Sequence, residues 1–270
     1  MHLSTRDVQR LLTAAGYYNG GIDGDAGPKT LTAVDRIISG HTRELTDRNM
    51  NDRRRMIAAA QLVLKHAGYE PGLIDGYSGH NTHEAYNAWA YYQEHGKAES
   101  LGRDNDDDLF SGEPASGDWP RQRDVDTFYG AVGKNQTRIR LPYKMRIAWD
   151  TSDTVSSFLC HEKVADAMSG IFRRTFDAYG YKRITELGLD LYGGCLNVRK
   201  MRGGSSWSMH AWGIAVDLDP ANNRLRWGRD RARFAKPEYD EFWRIVEDAG
   251  ALSLGRARNY DWMHFQFARL

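Results

Sequence analysis

Two cysteines, Cys160 and Cys195, are all that the 270 residues contain. Neither has the spacing of a cysteine zinc site, and a pair permits one disulfide at most. No apolar run approaches the ~20 residues of a membrane-spanning helix, so no membrane insertion is expected. The opening Met-His-Leu-Ser-Thr-Arg-Asp lacks the basic, apolar and small-residue layout of a signal peptide. Synthesis in the cytoplasm is therefore expected, and with it two reduced, buried thiols. An excess of charge is missing too: 37 Lys+Arg against 36 Asp+Glu leave a net +1. Bulk electrostatics thus nominates no nucleic-acid partner, and Arg53-Arg54-Arg55 reads as a solvated helix start.

What is present fits a soluble globular chain, with 41% hydrophobic and 27% charged residues. The length suits one large domain or two modest ones. Self-comparison at an offset of 52 reveals a duplication in the first half. Leu12, Ala15, Gly16, Tyr17, Gly20, Ile22, Asp23, Gly24, Gly27, Thr30 and Ala33 meet Leu64, Ala67, Gly68, Tyr69, Gly72, Ile74, Asp75, Gly76, Gly79, Thr82 and Ala85, and Gln9 meets Gln61. Each copy opens with a helical stripe, Val8, Leu11, Leu12, Ala15 and Ala60, Val63, Leu64, Ala67. Gly16 and Gly68 stand where a helix stop is wanted, and a second helix is expected near Thr30 or Thr82. The A-G-Y and I-D-G-x-x-G-x-x-T layout resembles small helical peptidoglycan-binding modules carried by wall hydrolases, over roughly 4–40 and 56–95. That resemblance implies bacterial peptidoglycan as the partner of residues 1–98, with Tyr17, Tyr18 and Tyr69 as candidates for stacking on sugars. The alternative is a helical scaffold that binds nothing.

Residues 99–120 lose periodicity and carry Asp104-Asn105-Asp106-Asp107-Asp108 with Gly112, Pro114 and Gly117, which reads as a linker. The acidic run lacks the glycine and terminal Glu of a calcium loop. Beyond it, 121–270 mixes helix and strand. Ala165, Met168, Phe172, Phe176 and Tyr179 mark a helix face ending at Gly180, and Pro237 can open another helix with Phe242, Ile245, Val246 and Ala249 inward. Strands are expected over 189–192, 214–218 and 263–267. The fold class expected is therefore α+β: helical N-terminal repeats, then a domain with a small antiparallel sheet.

The chemistry concentrates in Ser208-Met209-His210-Ala211-Trp212-Gly213-Ile214-Ala215-Val216-Asp217, followed by Asp261-Trp262-Met263-His264. His210, Asp217 and His264 offer two imidazoles and a carboxylate, and catalytic zinc takes three protein ligands with water in the fourth place. Asp261 is a spare acid, and hydrolysis needs one to move a proton from water to the leaving amine. A turn at Gly213 would let His210 and Asp217 converge despite their spacing. In Met263-His264-Phe265-Gln266-Phe267, alternation sets His264 and Gln266 on one face. Either histidine alone fits a satisfied core residue; the whole constellation does not. His161-Glu162 opens like H-E-x-x-H, but Ala165 takes the place of the second histidine, so His161 is expected to be an ordinary helix residue. His2, His41, His66, His80, His83 and His95 lack ligand spacing with one another.

S-x-H-x-x-G-x-A-x-D followed by D-x-x-H resembles the zinc peptidases that include D-alanyl-D-alanine carboxypeptidases, D-Ala-D-Ala dipeptidases and phage L-alanyl-D-glutamate endopeptidases. The stretch 192–206 looks like the segment that precedes the motif in phage members. The resemblance covers roughly 121–270. It implies Zn2+ on His210, Asp217 and His264, Asp261 as general base and Arg199 as the oxyanion-stabilising arginine, with Arg202 a second candidate. Trp207, Trp212 and Trp262 flank these residues; Trp212 and Trp262 are the candidates for lining the substrate cleft.

The combined expectation is a monomeric, modular peptidoglycan endopeptidase similar to phage endolysins, made in the host cytoplasm and acting on the wall after release. A D-Ala-D-Ala carboxypeptidase of wall remodelling is the nearest alternative. A wall-binding protein with a structural zinc is the other, and Asp261 argues against it, since a closed site needs no unligated acid.

Overall fold

In the computed structural model, which describes residues 3–98, 119–201 and 206–270, the chain begins with a capped helix. Ser4 accepts from the Asp7 amide at 3.3 Å and Asp7 returns a bond to the Ser4 amide at 2.9 Å, so two otherwise orphaned donors of α1 (Thr5–Ala14) are satisfied. Pro28 occupies the first turn of α2 (Pro28–Gly40), where its missing N–H costs nothing. Asn51 caps α3 (Asp52–His66) through the Arg54 amide, and α4 (His80–His95) closes the series. The second helix of each copy starts two residues before the expected threonine, because Gly27 and Gly79 take the N-cap positions.

The chain divides into two units, Met1–Glu99 and Ser100–Leu270. Of the expected linker, 99–118 lies outside the described residues. In the first unit α3 is the central helix, buried from Ile57 to Leu64 and packed against α1, α2 and α4. Three consecutive alanines, Ala58, Ala59 and Ala60, let neighbours approach it on several sides.

The two copies repeat one polar device. Gln9 is fully buried; its amide donates to Asp23, to the Asp25 carbonyl and to Thr30, while its oxygen accepts from the Gly24 amide at 2.9 Å. Fifty-two positions on, Gln61 bonds Asp75, the Tyr77 carbonyl, Thr82 and the Gly76 amide in the same way. A buried amide with all its partners fixes the I-D-G turn against the first helix of each copy.

The second unit is built on a six-stranded sheet whose strands lie in the order Asp150–His161, Gln136–Ile147, Leu191–Gly194, Ala215–Leu218, His264–Gln266 and Leu252–Ser253. The short α5 (Val125–Tyr129) precedes a long hairpin, β1 (Gln136–Ile147) and β2 (Asp150–His161), which leads to α6 (Ala165–Leu187). β3 (Leu191–Gly194) joins β1 in parallel, and β4 (Ala215–Leu218), β6 (His264–Gln266) and β5 (Leu252–Ser253) complete an otherwise antiparallel sheet. α7 (Asp240–Asp248) packs on α6, and α8 (Leu254–Arg258) links β5 to the last turn. The α+β class is as expected, but the sheet is twice the size. The hairpin was missed although Ile139, Tyr143 and Met145 alternate with Arg138, Arg140, Lys144 and Arg146; one face meets solvent and Pro142 interrupts the run.

Gly180, at φ 65°, breaks α6 into two helical stretches, so the helix stop expected there is found. One further correction concerns local structure. His161 is not a helix residue: it ends β2, fully buried, with Nε2 on the Tyr129 carbonyl and Nδ1 accepting from the Lys163 amide. Both its nitrogens are thereby used, and burial lowers its pKa. Cys160 and Cys195 are buried free thiols, and burial pushes Cys160 up to about 12. Among the described residues no helix is long and apolar enough to cross a membrane.

Candidate metal centre

The register of two central strands builds the site. β4 and β6 pair antiparallel with Asp217 opposite His264, so a carboxylate and an imidazole separated by 47 positions share one face. His210 arrives from a single 3-10 turn, Met209–Trp212, capped by Ser208. Gly213 reverses the chain at φ 69°, as the sequence predicts, and a Cβ there would press on the Gln136 side chain and the His161 amide. Gly193 on β3 lies flat against Asp217; a Cβ would come within 2.9 Å of the Asp217 carbonyl. The aspartate is therefore backed by bare backbone.

The three groups converge. Asp217 Oδ1 lies 2.9 Å from His264 Nδ1 and 3.2 Å from His210 Nε2, and those two nitrogens are 3.2 Å apart. All three residues are buried, with 4 to 6% exposure. Burial alone would raise the Asp217 carboxyl, but the charge and hydrogen bond of His210 and those of His264 hold it well below the usual carboxylate range. Burial works to lower His264, and the Asp217 hydrogen bond and charge, with a further contribution from Asp261, outweigh it and raise the value.

The outer nitrogens decide what points inward. His210 Nδ1 lies 2.7 Å from the Cys195 carbonyl, which only accepts, so that nitrogen carries the proton. His264 Nε2 lies 3.1 Å from Gln266 Oε1, and Gln266 is oriented by its own donation to the Ala268 carbonyl at 2.8 Å. In the neutral rings, His210 Nε2 and His264 Nδ1 therefore turn lone pairs on each other and on a carboxylate. Such an arrangement calls for a proton or a metal cation between its members. Tetrahedral zinc with bonds of 2.0–2.1 Å spaces its ligand atoms about 3.3 Å apart, close to the 2.9–3.2 Å found here. The donor set, spacing and outer hydrogen bonds fit Zn2+. Cys195 and Gln266 were not identified as supporting residues, although strand alternation puts Gln266 on the face of His264.

Asp261 stands at the entrance of β6 with 7% exposure. Its φ of 56° is left-handed, a region that Asp tolerates better than most residues. Its amide donates to the Leu225 carbonyl and its carbonyl accepts from the His264 amide at 3.0 Å, which fixes it beside the cluster. Arg199 is half-buried. Its carbonyl accepts from the Ser208 amide and its Nη1 donates to the Lys200 carbonyl at 3.1 Å. Arg202 lies outside the described residues.

The tryptophans divide. Trp262 is a core residue, stacked on Gly255 and edge-on to Trp243, so its assignment to substrate binding is corrected. Trp212 is 4% exposed and its indole N–H is engaged by the Gly130 carbonyl; only an edge of it reaches a cleft of about 430 Å3 that Trp207, Met209, Met201 and Gln122 also line. Trp207 is the more exposed aromatic there, with Lys200 Nζ 3.8 Å above its ring. In the first unit Tyr18 is likewise buried, its hydroxyl on the Gly21 carbonyl, which removes it as a sugar platform. Tyr17 and Tyr69 are half-buried against the helical core.

Residues 202–267 match a family model described as D-alanyl-D-alanine carboxypeptidase. The matched segment contains His210, Asp217, Asp261 and His264 and begins after Arg199. No curated protein and no solved structure matches the chain.

Proposed function

We propose that the second unit is a zinc peptidase that hydrolyses an amide bond in the stem peptide or cross-link of peptidoglycan. The observation that carries this reading is the convergence of two imidazole lone pairs and a carboxylate, each histidine locked in the ligating tautomer by its outer hydrogen bond. When bound, zinc supplies a water acidified to a pKa of about 7 and polarises the scissile carbonyl.

The chain's own groups do the rest. Asp217 contributes the negative charge that balances the cation. Asp261 takes the proton of the attacking water and delivers it to the leaving amine, a task that suits a carboxylate held beside His264 and not itself a ligand. Arg199 is assigned to the developing oxyanion, with Arg202 as the second candidate. The cleft beside the turn of His210 offers room for flanking parts of the substrate.

The proposal extends to the first unit, whose duplicated halves would hold the wall, with Tyr17 and Tyr69 as the remaining aromatic candidates. Tethering would raise the local concentration of scissile bonds without new contacts at the catalytic centre. The whole would then be a modular lytic enzyme of the endolysin type. A second reading, removal of the terminal D-Ala as a carboxypeptidase, is favoured by the description of the matching family.

Mass spectrometry of purified muropeptides after digestion with the zinc-loaded protein tests both. Release of L-Ala from the stem, or opening of a D-Ala cross-link, marks an endopeptidase; loss of terminal D-Ala alone marks the carboxypeptidase. Unchanged muropeptides with zinc in place would overturn the peptidase reading.

A further inference from the structure

A second cluster of potential ligands lies in the first unit. His41 caps the C-terminus of α2, Glu44 follows in the connector and His66 is the last residue of α3. One ligand atom of each lies within 4.8 Å of the others. The rings of His41 and His66 are 4.4 Å apart, and His66 Nε2 lies 2.9 Å from Glu44 Oε1. His41 Nδ1 is on the Ile37 carbonyl at 2.8 Å, which makes it the protonated nitrogen and leaves Nε2 with the lone pair.

We propose that His41, Glu44 and His66 form a surface zinc site that clasps the two copies of the first unit together. Three features support it. Imidazole and carboxylate ligands in a 2:1 set suit zinc. Two helices end at the cluster, and the negative ends of their dipoles favour a cation. The ligand atoms already lie within 4.8 Å of one another on side chains that are partly or fully exposed. Zinc would replace the His66–Glu44 hydrogen bond, with the proton of the neutral His66 ring carried on Nδ1.

The duplication did not create this cluster. Fifty-two positions from His41, Glu44 and His66 stand Gln93, Gly96 and Ala14, so the ligands occur once, where the first copy hands over to the second. Lys65 Nζ lies 2.7 Å from Glu44 Oε2 and competes for the same carboxylate, which makes the site weaker than the buried one.

Zinc titration of the intact chain with elemental analysis tests this independently of catalysis. Two sites are expected in the unaltered protein, the weaker one lost in His66→Ala and in His41→Ala while hydrolysis of soluble muropeptides is unchanged. The weaker site should persist in His210→Ala/His264→Ala. Lys65→Met, which removes the competing cation, should tighten it several-fold. In the unaltered protein, added zinc should also shift the ring proton resonances of His41 and His66, a readout that needs no variant. A stoichiometry that His66→Ala does not change, with no shift of those resonances, overturns the proposal.

Discussion

Gln266 holds His264 by its outer nitrogen: Oε1 accepts from Nε2 at 3.1 Å while the Gln266 amide is anchored on the Ala268 carbonyl. The inner nitrogen, Nδ1, is thereby left to face Asp217 and His210. Gln266→Leu keeps the strand and roughly the volume but removes that acceptor. Zinc affinity should fall about 10- to 100-fold with the fold retained, measured by competition with a chromophoric chelator and by circular dichroism. An unchanged affinity would mean that the tautomer is set elsewhere.

Asp261 and Asp217 should separate when each is changed to Asn. At φ 56° Asn is accommodated as well as Asp, so Asp261→Asn isolates the loss of basicity. Zinc content should survive while turnover falls about 100- to 10,000-fold, roughly 3–5 kcal/mol of barrier. Asp217→Asn removes the charged ligand and should weaken zinc as well as rate. Zinc per chain and initial rate with zinc in excess decide between them; loss of zinc from Asp261→Asn would exchange the two assignments.

Chelation should abolish hydrolysis, and added zinc should restore it. His210→Ala and His264→Ala should each lose the tight zinc, because two of three ligands cannot hold it. Full hydrolysis by a metal-free sample, verified by elemental analysis, contradicts the mechanism proposed here.

The clustered donor set His210, Asp217 and His264 is legible in the sequence, and the reason is chemical. His210, Asp217, Asp261 and His264 are residue types whose combination has few structural uses, and the alternation around His264 and the turn at Gly213 are local. What escaped was non-local. The Cys195 carbonyl that orients His210 is a backbone atom of an unremarkable residue. His41, Glu44 and His66 share no periodicity, and only the packing of α2 against α3 unites them. Trp212 lines the cleft with one edge whereas Trp262 fills the core, a difference that sequence does not show because an aromatic residue beside a ligand looks the same either way.

Gln9→Leu and Gln61→Leu should destabilise the first unit by similar amounts, about 2 kcal/mol each, since each strips partners from a buried Asp-Gly turn. Denaturant unfolding of the intact chain, followed by hydrogen exchange at the Gly24 and Gly76 amides, measures both. A large effect at one position alone would show that the two copies are not energetically alike.

Asp7 gives a pH-dependent test. Burial would raise its carboxyl, but hydrogen bonds from Ser4 and Tyr86 and the charge of Arg10 outweigh this and hold it below 3.8. A depressed folded-state value means that the ionised group stabilises the native state above 3.8 and that the contribution is lost as pH falls through the lower, folded value. Asp7→Ala should cost about 1 kcal/mol at neutral pH through the lost cap, read as faster hydrogen exchange across Thr5–Ala14. The difference should vanish at acid pH; a difference that grows on acidification would refute this account.

The pairing of Asp217 with His264 also makes the metal a witness to assembly. Strand side chains alternate faces, so a slip of one residue between β4 and β6 would bring Met263 or Phe265 opposite Asp217 and turn His264 away. A misregistered chain could bury nearly as much apolar surface and keep a similar helix content, yet it could not assemble the buried ligand set. Tight zinc uptake during refolding would therefore mark the moment at which the middle of the sheet locks into register, something that a bulk measure of secondary structure would pass over.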